Sequence, residues 1–261
     1  MLMDLKKSYA IMMNDLSEVF SSKAIYMPMI AVPVFFALLF PLLTFYISTY
    51  NLSGIATRII GTAEQISSAK VNGAVFMSYF AVYILGPTFM TMPIFTASVI
   101  AADSFAGEKE RRTSEALLST PVKNSELLVG KISASLLPTI LLTLVVFAIY
   151  GSTINYLAFR TFSTYILPTP SWILMILLSP FLSLAAIGVV VLVSSHVSGI
   201  KEAQQISSLL VLPIMVLPFA SIFGIFDLTP SFFYGVLAFL VLFDATIIYI
   251  GIKSFKKENI L

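Results

Sequence analysis

Long stretches of this chain contain no charged side chain, and they limit what it can fold into. No Asp, Glu, Lys or Arg occurs from Ala24 to Thr57 or from Val71 to Ala102. An α-helix needs about 20 apolar residues to cross the hydrocarbon core of a bilayer, which is roughly 30 Å thick, because each residue adds about 1.5 Å. Both stretches are long enough, so the sequence predicts two membrane spans in its first 102 residues.

The remainder of the chain predicts four more spans. Between residues 132 and 200 only Arg160 is charged, and the turn-forming segment LPTPSW at 167–172 divides this run and is expected to set Trp172 at a membrane interface. Between residues 203 and 252 only two aspartates are charged, and one of them lies in the turn-like segment FDLTPS. The predicted fold is an all-α integral membrane protein, a single transmembrane domain over 1–261 with six spans at about 24–48, 76–102, 127–155, 171–196, 203–226 and 230–252.

Composition agrees with a membrane protein and excludes several kinds of site. Hydrophobic residues make up 58% of the chain and charged residues 11%, whereas soluble proteins average about 45–50% and 25%. The net charge of +2 is too small to indicate nucleic-acid binding. With no cysteine and one histidine, the chain has no disulfide, thiolate site or metal-ligand cluster. No cofactor is therefore expected in this chain.

The distribution of Lys and Arg predicts the orientation. Twelve of these residues fall on the side that holds both termini and three on the other side. By the positive-inside rule the termini are cytoplasmic, and the protein is expected in the cell membrane as a multi-pass protein. Residues 1–22 combine apolar and charged side chains at helical spacing, which predicts an amphipathic helix on the cytosolic surface. The charged start is too long for a typical cleavable signal, so none is expected.

Polarity is concentrated in one cytoplasmic stretch, SFAGEKERRTSEALLSTPVKNSELLVGK at 104–131, which holds nine of the 28 formal charges. Pairs of opposite charge four residues apart, Glu108 with Arg112 and Arg111 with Glu115, predict a helix over about 105–119. Pro121 is expected to end it.

The next helix is predicted to start directly after that proline. Asn124 or Ser125 is expected to cap it, with Glu126 in its first turn. In the short helix before the proline, Leu117 and Leu118 are apolar although no soluble domain follows to bury them. A partner protein would cover these two leucines.

The stretch GEKERRTSEALLSTPVKNSELLVGK resembles the cytosolic segment of type-2 ABC exporter permeases, whose pattern is E(K/R)E(R/K)xTxExLLxTP(V/I), a short spacer and ELxxGK. The residues that match in order are Glu108, Lys109, Glu110, Arg111, Thr113, Glu115, Leu117, Leu118, Thr120, Pro121, Glu126, Leu127, Gly130 and Lys131. Arg112 replaces the usual Gly, and Lys123 replaces a frequent Ser.

The resemblance implies a coupling helix at 104–121 that docks on a separate ATP-hydrolysing subunit. It implies two such ATPases, which hold ATP and Mg, and a second permease that is either an identical copy or a paralogue. The partner-binding residues implied are Glu108, Glu110, Arg111, Arg112, Glu115, Leu117, Leu118, Thr120 and Pro121. Membrane lipid is the other expected partner, and nucleic acid is not expected.

The sequence also indicates that ATP binds elsewhere. A phosphate-binding loop requires G-x-x-x-x-G-K-[ST], but Gly130-Lys131 is followed by Ile132 and has Ser125 at the first glycine position. The interpretation is a transport subunit rather than an enzyme.

The alternative is a membrane protein without a transport role, either an intramembrane hydrolase or a structural subunit. His196 follows Ser194 and Ser195, and serine with histidine can form a nucleophile and base. Adjacent residues on a helix do not face each other, however, and a histidine at the cytoplasmic end of a span suits the helix C-terminus.

Asp244 is the one carboxylate that the predicted spans place inside the bilayer, about 12 Å from the inner end of the last span. An ionisable residue at such a depth is a candidate for the substrate path. The alternative is a buried aspartate that accepts hydrogen bonds from a hydroxyl such as that of Thr246 or from a tyrosine. The cargo is not determined: apolar spans favour a drug-like or lipid-like molecule, while ions and peptides remain open.

Overall fold

The structure is a computed structural model, and it describes residues 5–50, 73–111, 123–194, 196–197, 199–223, 225 and 228–254. Within these residues it contains ten α-helices, one π-helical segment and no strand, which confirms the all-α prediction. The helices are α1 Leu5–Ser21, α2 Lys23–Tyr50, α3 Gly73–Tyr79, α4 Gly86–Phe89, α5 Thr91–Glu110, α6 Asn124–Phe162, α7 Pro170–Val193, α8 Ile200–Ser208, α9 Val211–Ile222 and α10 Pro230–Ser254.

Six helical stretches are long and apolar enough to cross a membrane, as the sequence predicts. In the described part of the chain they are Ile25–Thr49, Phe76–Glu110, Ser125–Phe162, Pro170–Val193, Ile200–Ser221 and Pro230–Gly251. The third is the longest, since α6 has 39 residues. At about 1.5 Å per residue it is nearly twice as long as the hydrocarbon core is thick, so its ends project beyond the core.

The second and fifth spans are interrupted. In the second, the π-helical segment Phe80–Leu85 separates α3 from α4, and Pro87, which has no N–H to donate, stands in the first turn of α4. The buried hydroxyl of Tyr150 donates a hydrogen bond to the Ala81 carbonyl in this segment at 3.0 Å. In the fifth span α8 ends at Ser208 and α9 starts at Val211.

α7 lies at the centre of the bundle and packs against α5, α6, α8 and α10. Its first turn holds Trp172, which is buried and stacks on Tyr150 with ring centroids 5.1 Å apart and also contacts Phe147. Two aromatic residues of α6 therefore cover the indole, and the position of Trp172 at a membrane interface stays a prediction.

The connection between α6 and α7 is a short turn held by one side chain. The Asn155 amide nitrogen donates to the Leu167 carbonyl at 2.8 Å, and its oxygen accepts from the N–H groups of Ile166 and Leu167 at 3.0 and 2.9 Å. Thr169 caps α7 by accepting from the Trp172 N–H at 3.2 Å. The predicted division of this apolar run is thus a hydrogen-bonded turn.

α1 packs along the first half of α6 and runs in the same direction. Near the start, Ile11 and the Ser8 carbonyl face Gly130, and further along, Val19 and Leu142 belong to one apolar cluster. The buried face of α1 is partly polar, since it includes Ser8 and Asp15. This packing brings the charges of α1 to the ends of α5 and α6.

Candidate coupling site

Charged side chains from α1, α5 and α6 meet where α5 ends and α6 begins. They surround a cavity of about 430 Å³. Its walls are formed by Ala10, Ile11, Asn14, Asp15, Glu18, Val19, Asp103, Ser104, Glu108, Arg111, Leu127 and Lys131. We call the seven residues Asp15, Glu18, Asp103, Ser104, Glu108, Arg111 and Lys131 the Lys131 cluster.

Lys131 is the centre of this cluster, and its side chain is only 1% exposed. Its ammonium group donates to the Ser104 carbonyl at 2.6 Å and to Glu108 Oε1 at 2.7 Å. Asp15 Oδ2 lies 3.6 Å from the same nitrogen. The Phe105 ring centroid is 5.5 Å away, which is within the range of a cation–π contact. A buried ammonium group requires such partners, since its unpaired burial would be very unfavourable.

The cluster joins three helices through one continuous set of polar contacts. Ser104 on α5 donates from its hydroxyl to Asp15 Oδ2 on α1 at 2.6 Å, and both contact Lys131 on α6. A buried ion pair adds little net stability compared with apolar residues of similar size, but removal of one partner is strongly destabilising. The cluster therefore fixes the relative positions of the three helices.

Arg111 ends α5 and forms a second set of ion pairs. Its guanidinium group contacts Glu18 on α1 and Asp103, two turns earlier on α5. Gly107 stands between these groups, and a side chain at that position would meet Arg111 and Asp103. The predicted partner of Arg111, Glu115, lies outside the described residues.

Lys109 and Glu110 connect the end of α5 to the start of α8. The Lys109 ammonium group donates to the Val197 carbonyl at 3.1 Å, and Glu110 Oε2 accepts from the Ile200 N–H at 2.9 Å. A carboxylate at this position suits the positive end of the α8 dipole. Gly199 permits the contact, because a Cβ atom there would lie 2.7 Å from Glu110 Oε2.

The start of α6 differs from the predicted cap. Lys123 is the residue before the helix, and its N–H donates to Glu126 Oε2 at 3.1 Å. Asn124 and Ser125 are already in the first turn, so the prediction that one of them caps the helix is wrong. Glu126 is in the first turn as predicted, and it satisfies a backbone donor at the entrance to α6.

The structure describes three of the nine predicted partner-binding residues. Glu108, Glu110 and Arg111 lie in α5 or at its end, and each contacts another part of this chain. The other six, Arg112, Glu115, Leu117, Leu118, Thr120 and Pro121, lie outside the described residues, and so does most of the predicted helix at 105–119. Its first residues, up to Glu110, continue the second span.

Sequence reasoning missed the roles of Asp15, Glu18, Asp103 and Ser104, and it gave Lys131 no partner. The signal was present in α1, where Ser8, Asp15 and Glu18 recur at helical spacing on a face next to apolar Ile11 and Val19. This spacing indicates a polar stripe on α1, but it does not predict which other helices that stripe contacts.

Asp244 lies on α10 and is 5% exposed. Neither carboxylate oxygen has a hydrogen-bond partner among the described residues. The Thr246 hydroxyl, which was one expected donor, instead donates to the Leu242 carbonyl of its own helix at 2.8 Å.

Two of the three residues of the alternative hydrolase site lie in the described part of the chain. The Ser194 hydroxyl donates to the Val191 carbonyl at 2.8 Å, and the His196 N–H donates to the Val193 carbonyl at 2.8 Å beyond the end of α7. Ser195 lies outside the described residues. Among those that the structure describes, no three His, Asp or Glu side chains are grouped as a metal site would require.

A comparison with protein families gives a match that covers nearly the whole chain. The family described as ABC-2 family transporter protein matches residues 9–252. The chain belongs to the ABC-2 transporter family. No curated protein and no solved structure matches it. The six helices that are long and apolar enough to cross a membrane fit this family. Its members are membrane components of transporters.

Proposed function

We propose that this ABC-2 protein is the permease subunit of an ATP-driven exporter in the cell membrane, with both termini in the cytoplasm. Two copies, or one copy and a paralogue, form the substrate path. Two partner ATPases bind ATP and Mg and hydrolyse the nucleotide. The permease performs no covalent chemistry, and it converts motion of the ATPases into motion of its spans.

The observation that most supports this proposal is the Lys131 cluster. It joins the end of α5 to the first turns of α6, the two helices that precede and follow residues 112–122. Arg111 precedes the segment and is paired with α1, while Glu108 reaches across to Lys131 on the helix that follows it. Glu110 links the same end to α8. A displacement of the segment by a docked ATPase would reach the second, third and fifth spans and α1 through these contacts.

Under this proposal the residues of the motif have two roles. Glu108, Glu110 and Arg111 face groups of their own chain, so they position the segment. Arg112, Glu115, Leu117, Leu118, Thr120 and Pro121 form the docking surface. Its two leucines supply the apolar contact that a partner would bury, and the charges around them supply complementarity.

Asp244 is proposed to face the substrate path in the working transporter. A carboxylate inside a span without a described partner is unfavourable unless it has a function or a donor from elsewhere. A hydrogen-bond donor on the cargo would satisfy it.

Copurification with the ATPase tests the docking proposal. Arg112→Glu and the double variant Leu117→Asp, Leu118→Asp should insert normally but lose the ATPase during purification, because both alter the proposed docking surface. Arg160→Glu is the matched control, since it reverses one exposed arginine at the other end of the bundle and should retain the ATPase. Full retention by both docking variants would show that the ATPase binds elsewhere.

A further inference from the structure

The interruptions in the second and fifth spans share one sequence feature, a proline three residues further on. Met90 separates α4 from α5, and Pro93 stands in the first turn of α5. Leu209 and Leu210 separate α8 from α9, and Pro213 stands in the first turn of α9. A proline can start a helix, but it has no N–H to donate to the carbonyl four residues earlier. The Leu209 carbonyl accepts instead from the N–H group three residues later, at 3.1 Å.

The halves of these two spans that lie nearer to Arg111 are α5 and α8, which we call the inner pair. The hydroxyl oxygens of Ser98 on α5 and Ser207 on α8 are 2.7 Å apart. At the other end of α8, the Ile200 N–H donates to Glu110 Oε2 on α5 at 2.9 Å. The Ser207 hydroxyl also donates to a carbonyl of α7 at 3.0 Å. Because α8 is tied to α5 at both of its ends, the two helices are expected to move together, and the adjoining turn of α7 with them.

The other halves are residues 73–89 and α9, which we call the outer pair. The Tyr79 hydroxyl oxygen lies 3.3 Å from Ser221 Oγ on α9, and α9 packs against the π-helical segment and α4. Tyr150 of α6 is completely buried, and its hydroxyl donates to the Ala81 carbonyl in the π-helical segment at 3.0 Å. The outer pair is therefore attached to α6 as well as held together.

We propose that the second and fifth spans bend together at Met90 and at Leu209–Leu210, so that the inner pair turns as one body against the outer pair. Residues at the ends of helices are where hinge motions occur. This inference rests on the proposed function, because an ATPase docked at 112–122 displaces α5, which directly precedes that segment. The bend lets the inner pair open and close the cytoplasmic end of the substrate path while the outer pair stays in place.

Distances between spin labels test the bend, and the absence of cysteine from the chain makes the labels specific. Gln205→Cys labels the inner pair and Phe219→Cys the outer pair, both at exposed positions. Each is combined with Tyr156→Cys, which is exposed on α6 six residues after Tyr150. Labelled permease is mixed with an excess of unlabelled permease, so that distances within one chain are measured. In the permease alone, the distribution of the 156–205 distance should be broader than that of the 156–219 distance.

Proline variants decide whether this breadth arises at the break. Pro213→Ala restores an N–H that can donate to the Leu209 carbonyl, so it should straighten the fifth span and narrow the 156–205 distribution. Pro218→Ala is the matched control, because Pro218 lies inside α9 and not at the break, and it should leave that distribution unchanged. Equal breadth of the two distributions, or equal narrowing by the two proline variants, would overturn the proposal.

The complex with the ATPase tests whether the bend is driven by ATP. Addition of the ATPase with ATP and vanadate should shift the mean 156–205 distance by several ångströms and leave the 156–219 distance unchanged. A complex that hydrolyses ATP but shifts both distances equally, or neither, contradicts the bend. A permease that binds no ATPase contradicts the proposed function instead, and the distributions in the permease alone still decide the bend.

A disulfide within the inner pair tests whether it moves as one body, and it leaves both prolines in place. Ser98→Cys with Ser207→Cys puts two thiols where hydroxyl oxygens are 2.7 Å apart, so an oxidant should link them. The complex with the ATPase should hydrolyse ATP at the same rate in its oxidised and reduced forms, because the link does not cross the break. A severalfold loss on oxidation that a reductant reverses would show that α5 and α8 separate during the cycle, and it would overturn the proposal.

Discussion

At the scale of single residues, the unusual feature is a lysine buried among carboxylates at the end of a membrane bundle. The Lys131 side chain is almost completely buried. Its polar contacts are with Glu108, Ser104 and Asp15, which lie 23, 27 and 116 positions earlier in the chain. The ammonium group compensates for the burial of Asp15 and Glu108, and they compensate for its burial. The three groups are therefore expected to behave as a unit.

The first prediction concerns this mutual compensation. Lys131→Met should lower the free energy of unfolding by about 3–5 kcal/mol, because two carboxylates lose their cation. Thermal unfolding in detergent measures the effect. Lys201→Met, at an exposed lysine on α8, should change stability by less than about 0.5 kcal/mol.

A rescue variant separates lost charge pairing from lost packing. Lys131→Met combined with Asp15→Leu and Glu108→Leu removes all three charges and should recover most of the stability. If the triple variant is less stable than Lys131→Met alone, the cluster is not a compensated set of charges.

The second prediction concerns Asp244. Asp244→Asn keeps the shape of the side chain and removes its charge, so it should assemble normally and retain the ATPase. Transport by the reconstituted exporter should fall at least tenfold, because the proposed path loses its carboxylate. Unchanged transport would show that Asp244 is a structural residue and not part of the path.

At the scale of helices, the close packing of α1 on α6 depends on one glycine. A Cβ atom at Gly130 would lie 2.9 Å from Ile11 Cβ and from the Ser8 carbonyl oxygen. The Ser8 atom belongs to the backbone, so a side-chain rotation cannot relieve the contact. A larger residue at this position would push α1 away from α6 and with it Asp15 from Lys131.

The third prediction follows from this contact. Gly130→Ala should destabilise the protein by about 1–3 kcal/mol, since the core must shift to accept a methyl group. Gly235→Ala on α10 is the matched control: among the described residues, no atom beyond the neighbouring backbone of its own helix lies within 4 Å of an added Cβ, and alanine is the better helix former. The melting temperature of Gly130→Ala should be lower than that of Gly235→Ala. Equal melting temperatures of the two variants would contradict the described packing.

The sequence predicts the helices better than it predicts their contacts. The six apolar spans are predicted from stretches without charged residues, which are a local property of the sequence. The turn around Leu167 is predicted from the local segment LPTPSW. The pairing of Arg111 with Glu18 joins residues 93 positions apart, whereas helical spacing pointed to Glu115. Asp15 and Ser104 are 89 apart. Such partners depend on which helix faces meet, and periodicity within one helix does not determine that.

At the scale of the whole molecule, the fourth prediction is the topology. Reporters fused after Lys23, Pro121, Lys201 and Leu261 should all be cytoplasmic, and those after Lys70 and Arg160 external, because twelve of the fifteen Lys and Arg residues fall on the first side. An external reporter after Pro121 would contradict both the orientation and the docking of a cytosolic ATPase at 112–121.

The central claim is that the ATPase docks on the segment between Arg111 and Lys123, and cross-linking from that segment tests it most directly. The chain has no cysteine, so Leu117→Cys introduces a unique attachment point for a short maleimide–succinimide cross-linker. Thr164→Cys, in the turn between α6 and α7, is the control. We predict a covalent product between permease and ATPase from position 117 and none from position 164. Absence of the product at position 117, in a complex that copurifies intact, would contradict the account.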